Sequence, residues 1–260
     1  MGRQLYIAGM GSTYNYATFR TLTLFFAISV TWCYSISAQT QQRISPILVN
    51  PQSDQSLRYH PDPSSIKVAR LHYSGGGDWY WGSSAVPNFL KFVRDNSDFP
   101  VDTIERQVQI MDADLFRYPF LFATGHGVIS FSGEEKERLK DYLLGGGFLF
   151  VNDSYGMAQS FLKEMATLFS ERPVVDLPFD HKLYHSFYDF PNGPPKIHEH
   201  DNNPPRGYAI IINGRAVVYF LVESDIGDGW EDSQVHNDSP EKRAQALKMG
   251  LNLLAYALLY

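Results

Sequence analysis

The chain has 260 residues, of which 44% are hydrophobic and 19% are charged. This composition is typical of a globular protein and excludes both a disordered chain and an integral membrane protein. The formal net charge of −6, without any basic stripe, argues against a nucleic-acid partner, because binding to phosphate backbones requires clustered Lys and Arg.

The N-terminal segment, residues 1–38, has the pattern of a secretory signal peptide. Arg3 and Arg20 are its only charges, an apolar run over residues 22–30 follows, and small residues close it. The run is shorter than the ~20 residues that a spanning helix needs. We therefore predict a periplasmic or secreted protein with no spanning segment after cleavage, and an uncleaved anchor is the alternative. Cys33 is the only cysteine, so the mature chain has no thiol nucleophile, disulfide or thiolate metal site.

The remaining chain divides into a polar, proline-broken linker or loosely attached arm over residues 39–65 and a single domain over residues 66–260. In chain order, the first half of the domain is predicted to contain a strand over 66–73, a helix after Pro87, a strand over 101–110, a turn of helix over 112–116 and a strand over 119–124. A helix from Ser132 to the glycines at 145–147, a strand over 148–151 and a helix over about 157–169 follow. The last part is predicted to contain an irregular segment over 171–205, a hairpin over 208–222 that turns at Asn213-Gly214, a polar loop over 225–230 and a helix from Ser239.

The alternation of strands and helices predicts a three-layer α/β domain, with a mostly parallel sheet and the hairpin toward one edge. Ligands of such sheets gather at the carboxyl ends of the strands. That rule brings together four segments, over residues 73–81, 124–127, 152–156 and 223–230.

Several residues of these segments are candidate ligand contacts. The glycines admit close approach of an anion or substrate to the backbone, and the aromatic rings offer flat surfaces for a sugar, although tight turns and buried packing are the alternatives. The predicted ligand-binding residues are Gly75, Gly76, Asp78, Trp79, Gly125, His126, Asp225 and Trp230.

Ser154, Asp153 and His126 are the candidate catalytic residues. A serine on a strand-to-helix turn resembles the G-x-S-x-G nucleophile elbow, but Asn152 replaces the first glycine. Capping of the next helix by Ser154 or Asp153 is the alternative. His126 fits the role of a base, a ligand-binding donor or a turn residue.

Histidine pairs occur twice, but neither pair predicts a metal site. His181 and His185 have the spacing for one helix face, yet prolines and aromatics surround them and no third ligand is obvious. His198 and His200 lie in a loop between prolines, where solvation is the simpler interpretation. We therefore predict no metal and no cofactor.

Three segments, Phe122–Gly127, Leu143–Phe150 and Met249–Ala257, resemble the bacterial family called domain of unknown function 4159 over about residues 66–260. The resemblance implies a flavodoxin-like sheet of the class I glutamine amidotransferase kind, and the layout is also similar to trehalose-utilisation (ThuA-like) proteins. It implies no activity. Ser154 stands where the amidotransferases carry cysteine, and His185 is followed by Ser-Phe instead of the x-Glu of their His-x-Glu pair, which argues against glutamine-dependent ammonia transfer.

Two functions stay open. The first is a non-catalytic or weakly catalytic exported domain that binds a small ligand, a glycan or an envelope protein at the carboxyl ends of the sheet. The second is a hydrolase that uses Ser154 or an Asp153-activated water, with His126 or His185 as the base.

Overall fold

The computed structural model describes residues 64–198 and 200–260, so the predicted signal peptide and nearly all of the predicted linker lie outside the described residues. The strands are β1 (Val68–Leu71), β2 (Arg106–Val108), β3 (Phe120–His126), β4 (Phe148–Tyr155), β5 (Val175–Asp176), β6 (Arg206–Ile212) and β7 (Arg215–Val222). The helices are α1 (Ala85–Asn96), α2 (Gly133–Leu144), α3 (Ala158–Leu168), α4 (Ile226–Trp230), α5 (Ser233–His236) and α6 (Pro240–Leu259), with 3₁₀ turns at Leu115–Arg117 and Lys182–His185. None of the helices within this described part is both long and apolar enough to cross a membrane.

The seven strands form one mixed sheet in the order β2-β1-β3-β4-β7-β6-β5. β1 pairs in parallel with β2 and β3, and β4 pairs in parallel with β3 and β7, whereas β6 runs antiparallel to both β7 and β5. The prediction of a mostly parallel sheet is therefore corrected to a mixed sheet. The cause is the hairpin, because strands joined by a two-residue turn must run antiparallel. The turn itself was predicted correctly: Asn213 (φ 51°) and Gly214 (φ 81°) both adopt positive φ.

Two apolar cores cover the two faces of the sheet. On β3, Phe120 and Phe122 point into the core shared with α1, α4 and α6. Leu121 and Ala123 point into the opposite core, shared with α2 and α3. Both faces of β3 are thus buried, which explains its run of apolar residues without polar alternation. The predicted three layers are present.

Helix α2 begins with the predicted capping box. The Ser132 hydroxyl accepts a hydrogen bond from the Glu135 amide at 3.1 Å, and the Glu135 carboxylate accepts one from the Ser132 amide at 2.7 Å. Both bonds satisfy backbone donors that the first turn of a helix leaves without partners.

We expect Ser132→Ala to lower the free energy of unfolding by about 1 kcal/mol, because one first-turn amide loses its acceptor. Urea denaturation would measure the change. The matched control is Ser83→Ala, which removes an exposed hydroxyl outside this cap. Equal effects of the two substitutions would contradict the capping role.

Several predicted boundaries are wrong. β3 and β4 continue through the predicted polar turns, because their pairing extends from Thr124↔Asn152 to His126↔Tyr155, with a register shift after Gly125. The predicted strand over 101–110 is regular only at β2, the predicted loop over 225–230 contains α4, and the irregular segment over 171–205 contains β5 and a 3₁₀ turn. Pairing with a neighbouring strand is not visible in the local sequence.

Candidate functional site

The loops that follow β1, β3 and β7 meet at the carboxyl edge of the sheet. The Asp78 carboxylate lies 3.1 Å from Nδ1 of His126 and also accepts a hydrogen bond from the His126 amide. The Trp81 ring packs edge-on against the His126 ring, with centroids 4.7 Å apart. The indole Nε1 of Trp81 donates to Oδ1 of Asp228 at 3.1 Å. The predicted convergence of these segments therefore extends through Trp81, the last residue of the predicted segment over 73–81.

The buried side chain of Arg70 anchors the loop that follows β1, which we call the β1 loop. This side chain is 1% exposed and forms an ion pair with Glu105. The guanidinium also donates to the carbonyls of Trp81 and Gly82, the second at 2.8 Å, and approaches the carbonyl of Trp79 at 3.5 Å. One buried cation thus fixes the backbone that presents Trp81.

The predicted glycines are explained by close packing between the β1 and β3 loops. Gly75 has φ +116°, and a Cβ there would lie 2.7 Å from the Val128 carbonyl oxygen. Gly125 has φ +139°, and a Cβ there would lie 2.5 Å from the Tyr73 hydroxyl. Side chains are excluded at both positions by neighbouring protein atoms. Gly76, with φ +91°, faces open space.

The two tryptophans predicted as ligand contacts differ in location. Trp230 is fully buried: its ring stacks on Phe89 at 4.3 Å, and its Nε1 donates to the Ala246 carbonyl at 2.9 Å. Trp230 is therefore a core residue, because α4 directs its side chain between the sheet and α6. Trp79 stacks on His72 with ring centroids 4.0 Å apart and is half-buried on the β1 loop.

Ser154 has no access to solvent and lies inside β4, not on a turn. Its Oγ is 3.0 Å from Oγ1 of Thr124 and accepts from Nδ2 of Asn152 at 3.4 Å. The positive φ of this segment belongs to Gly156, two residues later. The strained turn that would expose the hydroxyl as a nucleophile is therefore absent at Ser154.

Asp153 binds the start of α3. Its two carboxylate oxygens accept hydrogen bonds from the amides of Met157 at 2.9 Å and Ala158 at 3.1 Å. The side chain is largely buried, and this burial raises the pKa of Asp153. Of the two sequence interpretations of this residue, helix capping is the one that its contacts match.

Asn152 and Asp225 join β4 to the segment after β7. Nδ2 of Asn152 donates to Oδ1 of Asp225 at 2.7 Å, and Oδ1 of Asn152 accepts from the Gly227 amide at 3.2 Å. Asp225 is fully buried with φ 51°, and burial raises its pKa. Its second oxygen faces Nε2 of His200 at 3.7 Å, which is too long for a hydrogen bond.

A group of imidazoles and carboxylates, which we call the histidine cluster, lies beside this network and consists of His198, Asp228 and His236. Oδ2 of Asp228 lies 3.0 Å from Nδ1 of His198 and 3.4 Å from Nε2 of His236. Nε2 of His198 also lies 3.1 Å from Asp238, and Nε2 of His236 lies 2.7 Å from Glu231. Sequence analysis missed this cluster, because its histidines are separated by 38 positions and belong to different segments.

The histidine pairs that the sequence singled out do not converge on one point. Nδ1 of His181 accepts from the Leu183 amide at 3.2 Å, while His185 contacts Asp189 and lies 2.9 Å from the Phe179 carbonyl. His198 belongs to the histidine cluster, whereas its sequence neighbour His200 faces Asp225. Neither predicted pair is thus arranged as a pair of metal ligands.

A pocket of about 690 Å³, which we call the rim pocket, opens beside β4, β6 and β7. Its ionisable lining includes Asp153, His200, Asp201, Arg206 and Glu223, its neutral polar lining includes Gln159 and Asn203, and its apolar and aromatic lining includes Tyr155, Leu162, Tyr208, Phe220 and Val222. The half-exposed Tyr155 ring packs on His200 at 5.0 Å, and its hydroxyl donates to Asp201 at 3.2 Å. Of the predicted site residues, only Asp153 lines this pocket.

A sequence profile of the family described as Domain of unknown function (DUF4159) matches residues 67–258. No curated protein matches the chain. The matched range includes the rim pocket, the histidine cluster and the contact between Asp78 and His126.

Proposed function

Since the chain belongs to the DUF4159 family, whose match covers the whole rim pocket, we propose that this domain binds a neutral, hydroxyl-rich small molecule, such as one or two units of a glycan, in that pocket. The observation that carries the proposal is the pairing of an exposed aromatic ring, Tyr155, with a concentration of carboxylates in one cavity. The volume of about 690 Å³ is within the range of small-molecule sites.

The lining suits sugar chemistry. The ring of Tyr155 offers an apolar face, and its orientation is fixed by the hydroxyl contact with Asp201. Carboxylate oxygens accept hydrogen bonds from hydroxyl groups, and Asp201 and Glu223 supply them at the pocket wall. The cavity therefore combines a stacking surface with acceptors at its edge.

The charge of the pocket argues against an anionic ligand. Asp153, Asp201 and Glu223 contribute acidic groups, of which Glu223 lies 3.7 Å from the ammonium of Lys196, and the guanidinium of Arg206 forms an ion pair with Asp176. The chain as a whole is also acidic, with a formal net charge of −6. A phosphorylated or carboxylated ligand would thus meet repulsion, whereas a neutral ligand would not.

Binding is favoured over hydrolysis by the state of Ser154, the candidate nucleophile, and of Asp153, the residue expected to activate a water. The hydroxyl of Ser154 is fully buried, and both carboxylate oxygens of Asp153 accept amide hydrogen bonds from α3. An attacking group must instead be exposed to the substrate and lie within reach of a base.

Two broader proposals, on the fold and on export, accompany the proposal of a glycan ligand. An amidotransferase-like, flavodoxin-like fold is supported by the strand order β2-β1-β3-β4 and by helices on both faces of the sheet. Export to the periplasm or beyond is supported by the composition of residues 1–38, and it would give the domain access to envelope glycans.

The test is a thermal-shift screen of soluble mono- and oligosaccharides, followed by calorimetric titration of each hit. We expect Tyr155→Ala to weaken binding roughly 5- to 30-fold, since the loss of a stacked ring costs on the order of 1–2 kcal/mol. Asp201→Asn is expected to weaken binding as well, because one oxygen acceptor is replaced by a donor.

Tyr80→Ala is the matched control, since Tyr80 is a 64% exposed aromatic residue outside the rim pocket. Binding should be unchanged in this variant. A screen without any saccharide hit, or a loss of affinity in Tyr80→Ala and not in Tyr155→Ala, would reject the rim pocket as the glycan site.

A further inference from the structure

We propose that the histidine cluster of His198, Asp228 and His236 binds a divalent first-row transition-metal ion, with Zn²⁺ as the best-fitting candidate. One ligand atom from each of the three residues lies within 4.8 Å of the others. This inference does not depend on the glycan proposal, because the three ligand atoms belong to residues that do not line the rim pocket.

The spacing of the ligand atoms fits a metal ion at their centre. Zinc bonds to nitrogen and oxygen of about 2.0–2.2 Å place neighbouring ligand atoms roughly 3.0–3.5 Å apart. Oδ2 of Asp228 lies 3.0 Å from Nδ1 of His198 and 3.4 Å from Nε2 of His236. Two of the three ligand-to-ligand distances thus already match, whereas the third, between the two imidazole nitrogens, is within 4.8 Å and would shorten when both rings bind the ion.

Outer contacts hold the ligands in position. Nε2 of His198 faces Asp238 at 3.1 Å, so that Nδ1 is left toward Asp228. The Trp81 indole donates to Oδ1 of Asp228, which leaves Oδ2 toward the histidines. A carboxylate behind a ligating imidazole is a common arrangement in metal sites, because it fixes the ring orientation and tautomer.

The charge balance also favours a cation. Asp228 belongs to the cluster and Glu231 and Asp238 lie beside it, and in the described part of the chain the three carboxylates contact the two histidines. The neighbouring Lys242 and Arg243 instead donate to backbone carbonyls. With neutral imidazoles, the three carboxylates carry a negative charge that a divalent ion would offset.

The ligand types select the metal. Two imidazoles with one carboxylate, and Glu231 as an available fourth oxygen donor 2.7 Å from His236, suit Zn²⁺ and related first-row ions. Mg²⁺ and Ca²⁺ prefer sites made of oxygen ligands. The absence of thiolate from residues 64–198 and 200–260 argues against soft ions such as Cu⁺.

The experiment titrates the purified full-length chain, first freed of metal with a chelator, with ZnCl₂ in a calorimeter. One equivalent per chain is expected to bind. His198→Gln and His236→Gln should each weaken binding at least tenfold, since each removes one of three protein ligands. MgCl₂ should give no comparable heat.

His185→Gln is the matched control, because His185 also pairs with a carboxylate, Asp189, but does not belong to the histidine cluster. Zinc affinity should be unchanged in this variant. The proposal is overturned if the wild-type chain binds no stoichiometric zinc, if both cluster variants retain its affinity, or if His185→Gln loses as much affinity as they do.

A second experiment soaks crystals of the unsubstituted chain in ZnCl₂. Its result does not depend on whether the variants fold. We expect an anomalous peak about 2.0–2.2 Å from Nδ1 of His198, Nε2 of His236 and an oxygen of Asp228. Zinc peaks only at other surface positions would overturn the assignment, and the cluster would then be a set of hydrogen-bonded ion pairs.

Discussion

Trp230→Ala is expected to lower the free energy of unfolding by about 3–5 kcal/mol. The Trp230 side chain is fully buried, stacks on Phe89 and packs against Phe122 and Phe150 of the sheet. Truncation would leave a large cavity between the sheet and α6 and would also leave the Ala246 carbonyl without its donor. Urea denaturation of both proteins, with linear extrapolation to water, would measure the loss.

Tyr80→Ala serves as the control, because its 64% exposed ring makes the expected change about 0.5 kcal/mol or less. Trp230→Phe should fall between the two, since it keeps the stacking ring but loses the indole donor. If Trp230→Ala had little effect on stability and abolished ligand binding, the sequence-based assignment of Trp230 as a ligand contact would be restored.

The features of the fold that the sequence predicted correctly are those determined within a few residues. The Ser132 cap and the Asn213-Gly214 turn each depend on short-range hydrogen bonding or on positive φ, and both occur where predicted. The family was also identified from short segments, and the profile match over residues 67–258 confirms it.

The errors arise from contacts between distant segments. β4 was expected to end at Val151, but its pairing with β3 continues for several residues, and this continuation places Ser154 in a buried strand. The sheet was expected to be mostly parallel, yet β5, from the segment predicted to be irregular, adds a further antiparallel pairing to the hairpin strand β6. Local composition contains no information on which neighbour will extend a strand.

For the candidate site, the strand-end rule predicted which segments approach one another better than which side chains line a pocket. The strand-end rule correctly brought the loops after β1, β3 and β7 together, as the contacts of Asp78 with His126 and of Trp81 with Asp228 show. The rule does not predict in which direction a side chain points, so Trp230 was assigned to the site although it lies in the core. The histidine cluster had only a weak signal, namely acidic residues close to His236 in the sequence.

Arg70→Leu is the second substitution with a large expected effect, a loss of about 3–5 kcal/mol in the free energy of unfolding. Leucine fills part of the buried volume but removes the ion pair with Glu105 and the hydrogen bonds to the carbonyls of Trp81 and Gly82. Glu105 would be left as a largely buried carboxylate without its partner, since its side chain is only 14% exposed. Urea denaturation would again measure the loss.

The double variant Arg70→Leu/Glu105→Gln separates the two contributions. Because the neutral glutamine removes the uncompensated charge, the double variant should be more stable than the sum of the single effects predicts, by about 1 kcal/mol or more. Arg94→Ala is the matched control: Arg94 also pairs with a neighbouring carboxylate, but its side chain is 52% exposed, so its expected effect is about 0.5 kcal/mol or less. If Arg70→Leu cost no more than Arg94→Ala, the β1 loop would be held by its backbone packing against β3. The position of Trp81 beside His126 and Asp228 would then be independent of the buried cation.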